Sequence, residues 1–243
     1  MIVKNLNLKF KKKENMEKIL VTGGAGYIGS HVVELLINLR KKVYIIDNLS
    51  TGYRRLVNKK AKFFFCDIKN YKKVNKIVKD NKIDSIIHLA ASLSVNESEK
   101  KPKKYYLNNV IGTKNIIHSC QENQIKNLIF SSTCAVYKDK IKSVKENSKL
   151  SPKSTYGKTK LSGERLIKRL IDKRKCNFAI LRYFNVAGAS KSKKIGQISS
   201  GDQLFKNLAI TCLRTKPKIN IYGNDYNTKD GTCVRDYIHV SDI

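Results

Sequence analysis

The sequence predicts an α/β protein built on a doubly wound parallel sheet. Through residues 16–186, short apolar runs alternate with helix-like segments, and the runs are apolar throughout rather than at every second position. Strands that are covered by helices on both faces of a sheet have this composition. The predicted strands are 18–23, 42–48, 62–67, 84–90, 127–133 and 177–185. The predicted helices are 27–40, 70–80, 102–123, 155–173 and 203–214.

The length and the composition fit one large α/β domain and part of a smaller one. The chain has 243 residues, of which 41% are hydrophobic, so a sizeable core can form. No apolar run reaches the length of a membrane span. Residues 1–15 are Lys-rich and lack the apolar centre of a signal peptide, so they are interpreted as a basic tail, or as an upstream start, ahead of Met16. These features predict a cytoplasmic protein.

The strong positive charge does not by itself predict nucleic-acid binding. The 50 Lys and Arg residues outnumber the 19 Asp and Glu residues, which gives a formal charge of +31. Most of the basic residues are Lys, and they are scattered over every exposed segment rather than gathered on one face. Such a surface attracts small anions in general.

The cysteines predict neither a metal site nor a disulfide framework. The six cysteines have no Cys-x-x-Cys spacing and no paired His. We therefore expect no metal, and we expect most of the cysteines to be reduced core residues.

A glycine-rich turn follows the first predicted strand. Gly23, Gly26 and Gly29 have the spacing G-x-x-G-x-x-G and lead directly into the first predicted helix. Glycines in this context allow a tight turn, close approach of the backbone to a pyrophosphate and close packing of the helix on the strand. The N–H groups at the helix N-terminus then face the phosphates. The motif predicts a Rossmann-type dinucleotide site.

Acidic residues at the next two strand ends indicate the coenzyme. Asp47 lies 18 residues after Gly29, where a carboxylate binds the adenosine ribose and repels a 2′-phosphate, so NAD is favoured over NADP. Arg54 and Arg55 follow closely and weaken that preference. Asp67 and Ile68 end the third strand, where the carboxylate can bind adenine and Ile68 can pack on its ring. Small residues at the end of the fourth strand, Leu89 and Ala90, are expected against the coenzyme.

Tyr156 and Lys160 are the candidate catalytic pair. Their spacing places both side chains on one face of the helix 155–173. A free tyrosine, with a pKa of about 10, is a weak base at neutral pH, and a neighbouring ammonium favours the phenolate. Ser131 and Thr133 end the fifth strand, at the sheet edge where such folds bind ligands. Thr133 is expected to share a hydrogen bond with Tyr156 and a substrate hydroxyl.

Together these motifs resemble the extended short-chain dehydrogenase/reductase family, and within it the UDP-glucose (UDP-galactose) 4-epimerases. The resemblance runs through residues 16–243. The segments that carry it are 21–31, 47–49, 105–110, 156–160, 181–185, 221–226, 230–232 and 234–240. The final block, residues 221–240, is more specific than the glycine loop.

The resemblance implies a role for each matching residue. Tyr27 and Ile28 lie over the pyrophosphate, and Asn48 joins Asp47 at the adenosine ribose. Asn108 and Tyr183 contact the nicotinamide half. Asn185 and Arg235 hold the UDP phosphates or the sugar, and Tyr222 packs near the uracil. Thr133, Tyr156 and Lys160 carry out the chemistry.

The expected reaction is inversion at C4 of a UDP-hexose through transient oxidation to a 4-keto sugar and return of the hydride. Alternatives are epimerisation of UDP-N-acetylglucosamine or UDP-glucuronate, or a non-catalytic NAD-binding homologue. A 4,6-dehydratase is disfavoured because Cys134 and Ala135, rather than acids, follow Thr133.

The resemblance also implies a domain division and an oligomeric state. Residues 16–186 form the NAD-binding domain, and residues 187–243 begin a substrate-binding domain that is incomplete at Ile243. Relatives continue beyond this point with residues that close over the UDP. A homodimer through helices 102–123 and 155–173 is expected.

Overall fold

The predicted Rossmann-type sheet is confirmed. The computed structural model describes residues 16–138, 143–198, 203–221 and 223–243. Six strands pair in parallel in the order β3-β2-β1-β4-β5-β6, so the chain reverses its direction of progress across the sheet between β1 and β4. Their bounds are β1 Lys18–Thr22, β2 Lys42–Asp47, β3 Lys62–Phe65, β4 Ser85–His88, β5 Asn127–Ser131 and β6 Asn177–Leu181. Ligands bind at the carboxyl edge of such a sheet, at the reversal point.

Helices cover both faces of the sheet. Their bounds are α1 Tyr27–Asn38, α2 Tyr71–Asn81, α3 Val95–Lys100, α4 Pro102–Tyr105, α5 Gly112–Glu122, α6 Thr155–Leu170 and α7 Leu204–Cys212. On one face, Leu20 and Ile86 of the central strands pack among the buried side chains of α2, α5 and α6. On the other face, Val21 and Ile45 pack with Val33 of α1. Burying each such aliphatic side chain contributes roughly 1.5–3 kcal/mol, and these two layers fix the sheet edge that carries the candidate site.

All six predicted strands of the sheet end one to four residues earlier than expected. The clearest case is the prediction 177–185, since β6 ends at Leu181. The chain then leaves the sheet, and residues 185–187 form β7 (Asn185–Ala187), which pairs in parallel with β8 (Tyr237–His239) in a separate sheet. The segment predicted as one strand therefore contributes to two different sheets. The predicted helix 155–173 also stops early, at Leu170.

The segment 102–123 is helical as predicted, but it is not a uniform α-helix. Residues Tyr106–Ile111 form a π-helical stretch between α4 and α5. Such stretches are rare and occur often at functional sites because they redirect side chains. Here the stretch carries Asn108 and Asn109, which both contact the segment after β4.

One short helix, α3, was missed although the sequence contains a signal for it. Ser94 accepts a hydrogen bond from the N–H of Glu97 at 3.1 Å and caps the helix. The Ser-x-x-Glu spacing of a capping box was therefore present in the sequence.

The cysteines lie only partly where the sequence predicted them. Cys66, Cys120 and Cys176 are buried, but Cys212 and Cys233 are exposed, so the expectation of core cysteines is wrong for these two. In the described part of the chain, no helix is long and apolar enough to cross a membrane. The predicted basic tail, residues 1–15, lies outside the described residues.

Candidate functional site

A large cleft lies at the carboxyl edge of the sheet, at the point where the strand order reverses. Its volume is about 1170 Å³. Nearly all residues singled out from the sequence line it, although they come from distant parts of the chain. They are Gly23, Gly26, Tyr27, Ile28, Gly29, Asp47, Asn48, Ile68, Leu89, Ala90, Asn108, Ser131, Thr133, Tyr156, Tyr183, Asn185 and Arg235.

The glycine turn forms the floor of one end of the cleft. Gly23 has a φ of +73°, and a Cβ there would lie 2.8 Å from the backbone nitrogen of Ala90. Gly29, in the first turn of α1, packs so closely that a Cβ would lie 2.1 Å from the carbonyl oxygen of Gly23. Gly26 caps α1 without any side-chain hydrogen bond. The first N–H groups of the helix, which have no intrahelical acceptor, are therefore presented to the cleft as an anion site.

Asp47, at the end of β2, is held by the turn that it faces. Its two carboxylate oxygens accept hydrogen bonds from the N–H of Ala25 at 3.0 Å and from the N–H of Leu49 at 2.8 Å. Burial raises the pKa of this carboxyl, and the two N–H groups oppose the shift. The carboxylate is thereby fixed beside the glycine turn, where its remaining lone pairs can accept from a ribose.

Asp67 and Lys160 do not line the cleft directly. Asp67 accepts a hydrogen bond from the side-chain amide of Asn48 at 3.2 Å and lies 3.4 Å from the ammonium of Lys69. Asn48, which does line the cleft, thus connects Asp67 to Asp47. Ile68 provides an apolar wall beside them and packs tightly against Gly112 of α5.

The catalytic candidates converge at the end of β5. Tyr156 is in the first turn of α6 and is 9% exposed, with the side chain of Thr133 beside its hydroxyl. Burial is the main influence on this phenol and raises its pKa, while the hydrogen bond with Thr133 lowers it. Thr133 therefore favours the phenolate, as a hydrogen-bond partner of the charged form does.

Lys160 lies one turn further along α6, behind the cleft wall. Its ammonium donates a hydrogen bond to the carbonyl oxygen of Ser131 at 2.8 Å and lies over the ring of Phe130, 5.1 Å from the centroid. Burial lowers the pKa of Lys160 to about 7, and the nearby Glu164 carboxylate opposes this shift. In this arrangement Lys160 fixes the backbone of the strand end, and Thr133 is the direct partner of the phenol.

Several buried polar residues that the sequence did not single out hold α6 in place. Ser98 of α3 accepts a hydrogen bond from the N–H of Tyr156 at 3.1 Å. Asn109 donates to Thr159 at 3.1 Å and accepts from the N–H of Ser92 at 2.8 Å. These residues support the first turn of α6, which carries Tyr156. Nothing in the sequence distinguishes them from other Ser and Asn residues, because their role follows from their partners in the fold.

One wall of the cleft includes residues from the later part of the chain. Asn185 begins β7, and its side-chain amide donates to the carbonyl oxygen of Asp236 at 3.0 Å. Arg235 lies just before β8, is exposed, and lines the cleft. Apolar residues of α7, Leu204 and Phe205 among them, extend the same wall. Tyr222, expected near the uracil, lies outside the described residues.

The residues expected at the nicotinamide half also line the cleft. The hydroxyl of Tyr183 is hydrogen-bonded to the hydroxyl of Ser131. Asn108 donates to the hydroxyl of Ser92 at 3.2 Å. Within the described residues there is no group of three or more His, Cys, Asp or Glu side chains that could hold a metal ion.

Comparison with known proteins agrees with this geometry. The model of the NAD dependent epimerase/dehydratase family matches residues 19–243. The chain belongs to this family. A similar curated relative is the UDP-glucose 4-epimerase of Lactobacillus helveticus, which is 42% identical over 228 residues, covering 93% of this chain and 69% of the relative. This member of the NAD dependent epimerase/dehydratase family therefore spans about two thirds of the length of that enzyme.

Solved structures in the same family have the same fold. The UDP-glucose 4-epimerase of Brucella ovis in complex with NAD is 35% identical, with a TM-score of 0.84 over 93% of this chain and 70% of that one. The enzyme from Bifidobacterium longum in complex with NAD+ and UDP is 32% identical, with a TM-score of 0.84 over 93% of this chain and 71% of that one. The NAD-dependent chemistry of the family fits the glycine cradle and the fixed Asp47 carboxylate described above.

Proposed function

We propose that this chain carries the coenzyme site and the catalytic residues of an NAD-dependent UDP-glucose 4-epimerase. The observation that carries the proposal is the convergence of Thr133 and Tyr156 at the wall of one cleft, with Lys160 fixed behind them. The same continuous cleft is lined by the glycine turn and by Asn185 and Arg235.

NAD fits the first half of the cleft. The N-terminus of α1 would hold the pyrophosphate, Asp47 and Asn48 the adenosine ribose, and Asp67 with Ile68 the adenine. Leu89, Ala90, Asn108, Ser131 and Tyr183 would surround the nicotinamide half, with Lys160 behind Ser131. When bound, NAD supplies reversible oxidation of the sugar C4 carbon and a positively charged ring that favours a nearby phenolate.

Tyr156 is the group that exchanges a proton with the sugar 4-hydroxyl. Its phenol is almost fully buried, so a phenolate there depends on hydrogen bonding and nearby positive charge. Thr133 supplies the hydrogen bond and can share it with the substrate hydroxyl. Lys160, one turn away, contributes positive charge and fixes the Ser131 carbonyl, so that the strand end keeps its geometry during proton transfer.

Residues 187–243 are proposed to begin the UDP-binding domain. Arg235 offers an exposed guanidinium to the diphosphate, since guanidinium groups bind phosphate oxygens in a bidentate manner. Asn185 lies beside it through the pairing of β7 with β8. Tyr222 is proposed for the uracil. The formal charge of +31 would also attract an anionic nucleotide sugar.

A direct assay tests this function. The protein is incubated with UDP-galactose, and UDP-glucose is measured with a coupled dehydrogenase, while UDP-N-acetylglucosamine and UDP-glucuronate are tried in parallel. Formation of UDP-glucose is the expected result. Turnover of only one of the other sugars would redirect the substrate assignment, and NAD binding with no turnover of any sugar would contradict the catalytic proposal.

Asp47 is expected to set the preference for NAD over NADP. In Asp47→Asn, the negative charge that repels a 2′-phosphate is lost, while Arg54 and Arg55 stay nearby, with Arg54 over the ring of Phe63 at 4.2 Å. We expect the ratio of NAD affinity to NADP affinity to fall by about tenfold or more, which corresponds to about 1.4 kcal/mol. Titration of both coenzymes by calorimetry measures the ratio. An unchanged ratio would show that Asp47 does not face the ribose.

We further propose a homodimer through the helices around α6. Tyr106 and Leu107 are 52% and 39% exposed on the segment that packs beside α6. Two copies of these helices could cover that surface by forming a four-helix bundle. Sedimentation equilibrium is expected to give twice the chain mass, and a monomer at micromolar concentration would contradict this interface.

A further inference from the structure

A buried ion pair lies on the far side of the catalytic strand end. Glu164 of α6 is 1% exposed and receives two hydrogen bonds from the guanidinium of Arg182, at 2.6 Å and 2.9 Å. The hydroxyl of Ser132 donates to the same carboxylate. Arg182 also donates to the hydroxyl of Tyr137 at 3.2 Å and to the carbonyl oxygen of Glu146 at 3.0 Å.

The cluster of Ser132, Glu164 and Arg182 lies next to the catalytic residues because side chains alternate along the strand. In extended chain, neighbouring side chains point to opposite sides. Ser131 and Thr133 therefore point towards Tyr183 and Tyr156, while Ser132, between them, points to Glu164. The same alternation holds after β6, where Tyr183 contacts Ser131 and Arg182 contacts Glu164. One carboxylate thus joins the strand end that carries Thr133 to the strand end that carries Tyr183.

Glu164 also lies on the helix that carries the other two catalytic candidates. It stands four residues after Lys160, hence on the same helical face. Tyr156 and Lys160 are therefore held to the strand end by one rigid helix whose anchor is Glu164. A buried ion pair contributes little net stability compared with apolar side chains of similar size, because both charges lose their hydration. The two hydrogen bonds of this pair instead fix the distance and the relative orientation of Glu164 and Arg182 closely.

We infer that Glu164 and Arg182, acting through the hydroxyl of Ser132, are positioning residues that set Thr133 and Lys160 against Tyr156. The inference rests on the proposed function, since it concerns the geometry of that reaction. The pair touches neither the coenzyme nor the substrate in this assignment. Its loss should therefore lower the rate of turnover without a matching loss of binding.

The sharpest variant is Ser132→Ala, which removes the link and leaves the ion pair intact. We expect kcat to fall by about tenfold, while KM for UDP-galactose and the affinity for NAD stay within about twofold, because misplacement of reacting groups acts mainly on the chemical step. The matched control is Ser119→Ala, which removes a buried hydroxyl of α5 that has no hydrogen-bond partner among the described residues. A kcat for Ser132→Ala within twofold of wild type, or an equal loss in the control, would overturn the inference.

Arg182→Lys is the second variant, because it keeps the charge opposite Glu164 but cannot form both parallel hydrogen bonds. A fall in kcat of similar size is expected, again with KM nearly unchanged. Deletion of either charge alone is avoided, since an unpaired buried charge can unfold the protein.

Hydrogen exchange of the NAD-loaded protein gives a readout that does not depend on activity. Faster exchange confined to residues 128–136 is expected in Ser132→Ala and not in Ser119→Ala. If the wild-type protein has no epimerase activity, the proposed function fails, while this measurement still decides whether Ser132 couples Glu164 to the strand end. Identical exchange in wild type and Ser132→Ala would overturn the inference regardless of activity.

Discussion

Tyr156→Phe is expected to lower kcat for the conversion of UDP-galactose by about 100-fold to 10,000-fold, the usual contribution of a positioned acid–base group. The phenol lines the cleft beside Thr133, where the sugar would lie. Phenylalanine keeps the ring and its packing but cannot exchange a proton. The measurement is the coupled assay described above, in single turnover as well as in the steady state.

The control for this variant is Tyr44→Phe, another buried tyrosine, 3% exposed, on β2 and away from the cleft. It should retain full activity apart from any loss of stability. NAD binding should survive in Tyr156→Phe, since most of the coenzyme contacts are provided by other residues. Activity near the wild-type level in Tyr156→Phe would remove this residue from the mechanism.

Gly29→Ala should weaken the binding of NAD by about 100-fold or more. A Cβ at this position would lie 2.1 Å from the carbonyl oxygen of Gly23 and 2.8 Å from the Cα of Gly24. Both contacts are backbone, so no flexible side chain can move to relieve them, and overpacking of this kind costs about 1–3 kcal/mol or more. Relief requires that α1 move away from the turn, which displaces the N–H groups that would bind the pyrophosphate. Calorimetric titration with NAD is expected to show a loss of affinity of about 100-fold or more, given that 1.4 kcal/mol corresponds to tenfold.

Gly196→Ala is the matched control, because the nearest atom to a Cβ there is a methyl group of Ala189 at 3.7 Å. It makes the same chemical change at a site with room for it. Thermal unfolding of both variants separates loss of the coenzyme from loss of the fold. NAD affinity in Gly29→Ala equal to that of the control would contradict the role assigned to the turn.

The motifs that could be read from the sequence are those whose function depends on short-range spacing. The glycine turn between β1 and α1 and the Tyr-x-x-x-Lys spacing on α6 are local, so their geometry follows from the helix and the turn alone. The six apolar strands were also predictable, because strands buried on both faces need apolar side chains throughout. The acid at Asp47 followed from its distance from the turn.

The tertiary structure decided the features that depend on which residues meet across the fold. The segment 177–185 was predicted as one strand, but β6 stops at Leu181. The next residues contact Glu164 and Ser131, and residues 185–187 pair in the second sheet. The sequence placed the ammonium of Lys160 near the phenol of Tyr156, as a charge that favours the phenolate, and predicted Thr133 as the neighbour of that phenol. Only the fold shows that the ammonium donates its hydrogen bond to the carbonyl of Ser131.

The sequence by itself thus determined the Rossmann-type fold and the coenzyme class, and it predicted which side chains react. Only the tertiary structure revealed Ser98, Asn109 and the cluster of Ser132, Glu164 and Arg182 as the supports that hold those side chains. The physical reason is that a buried hydrogen bond or ion pair requires complementary groups within about 3 Å of each other. Ser132 and Arg182 are 50 positions apart in the chain, and no local pattern in the sequence predicts that both belong to one buried cluster.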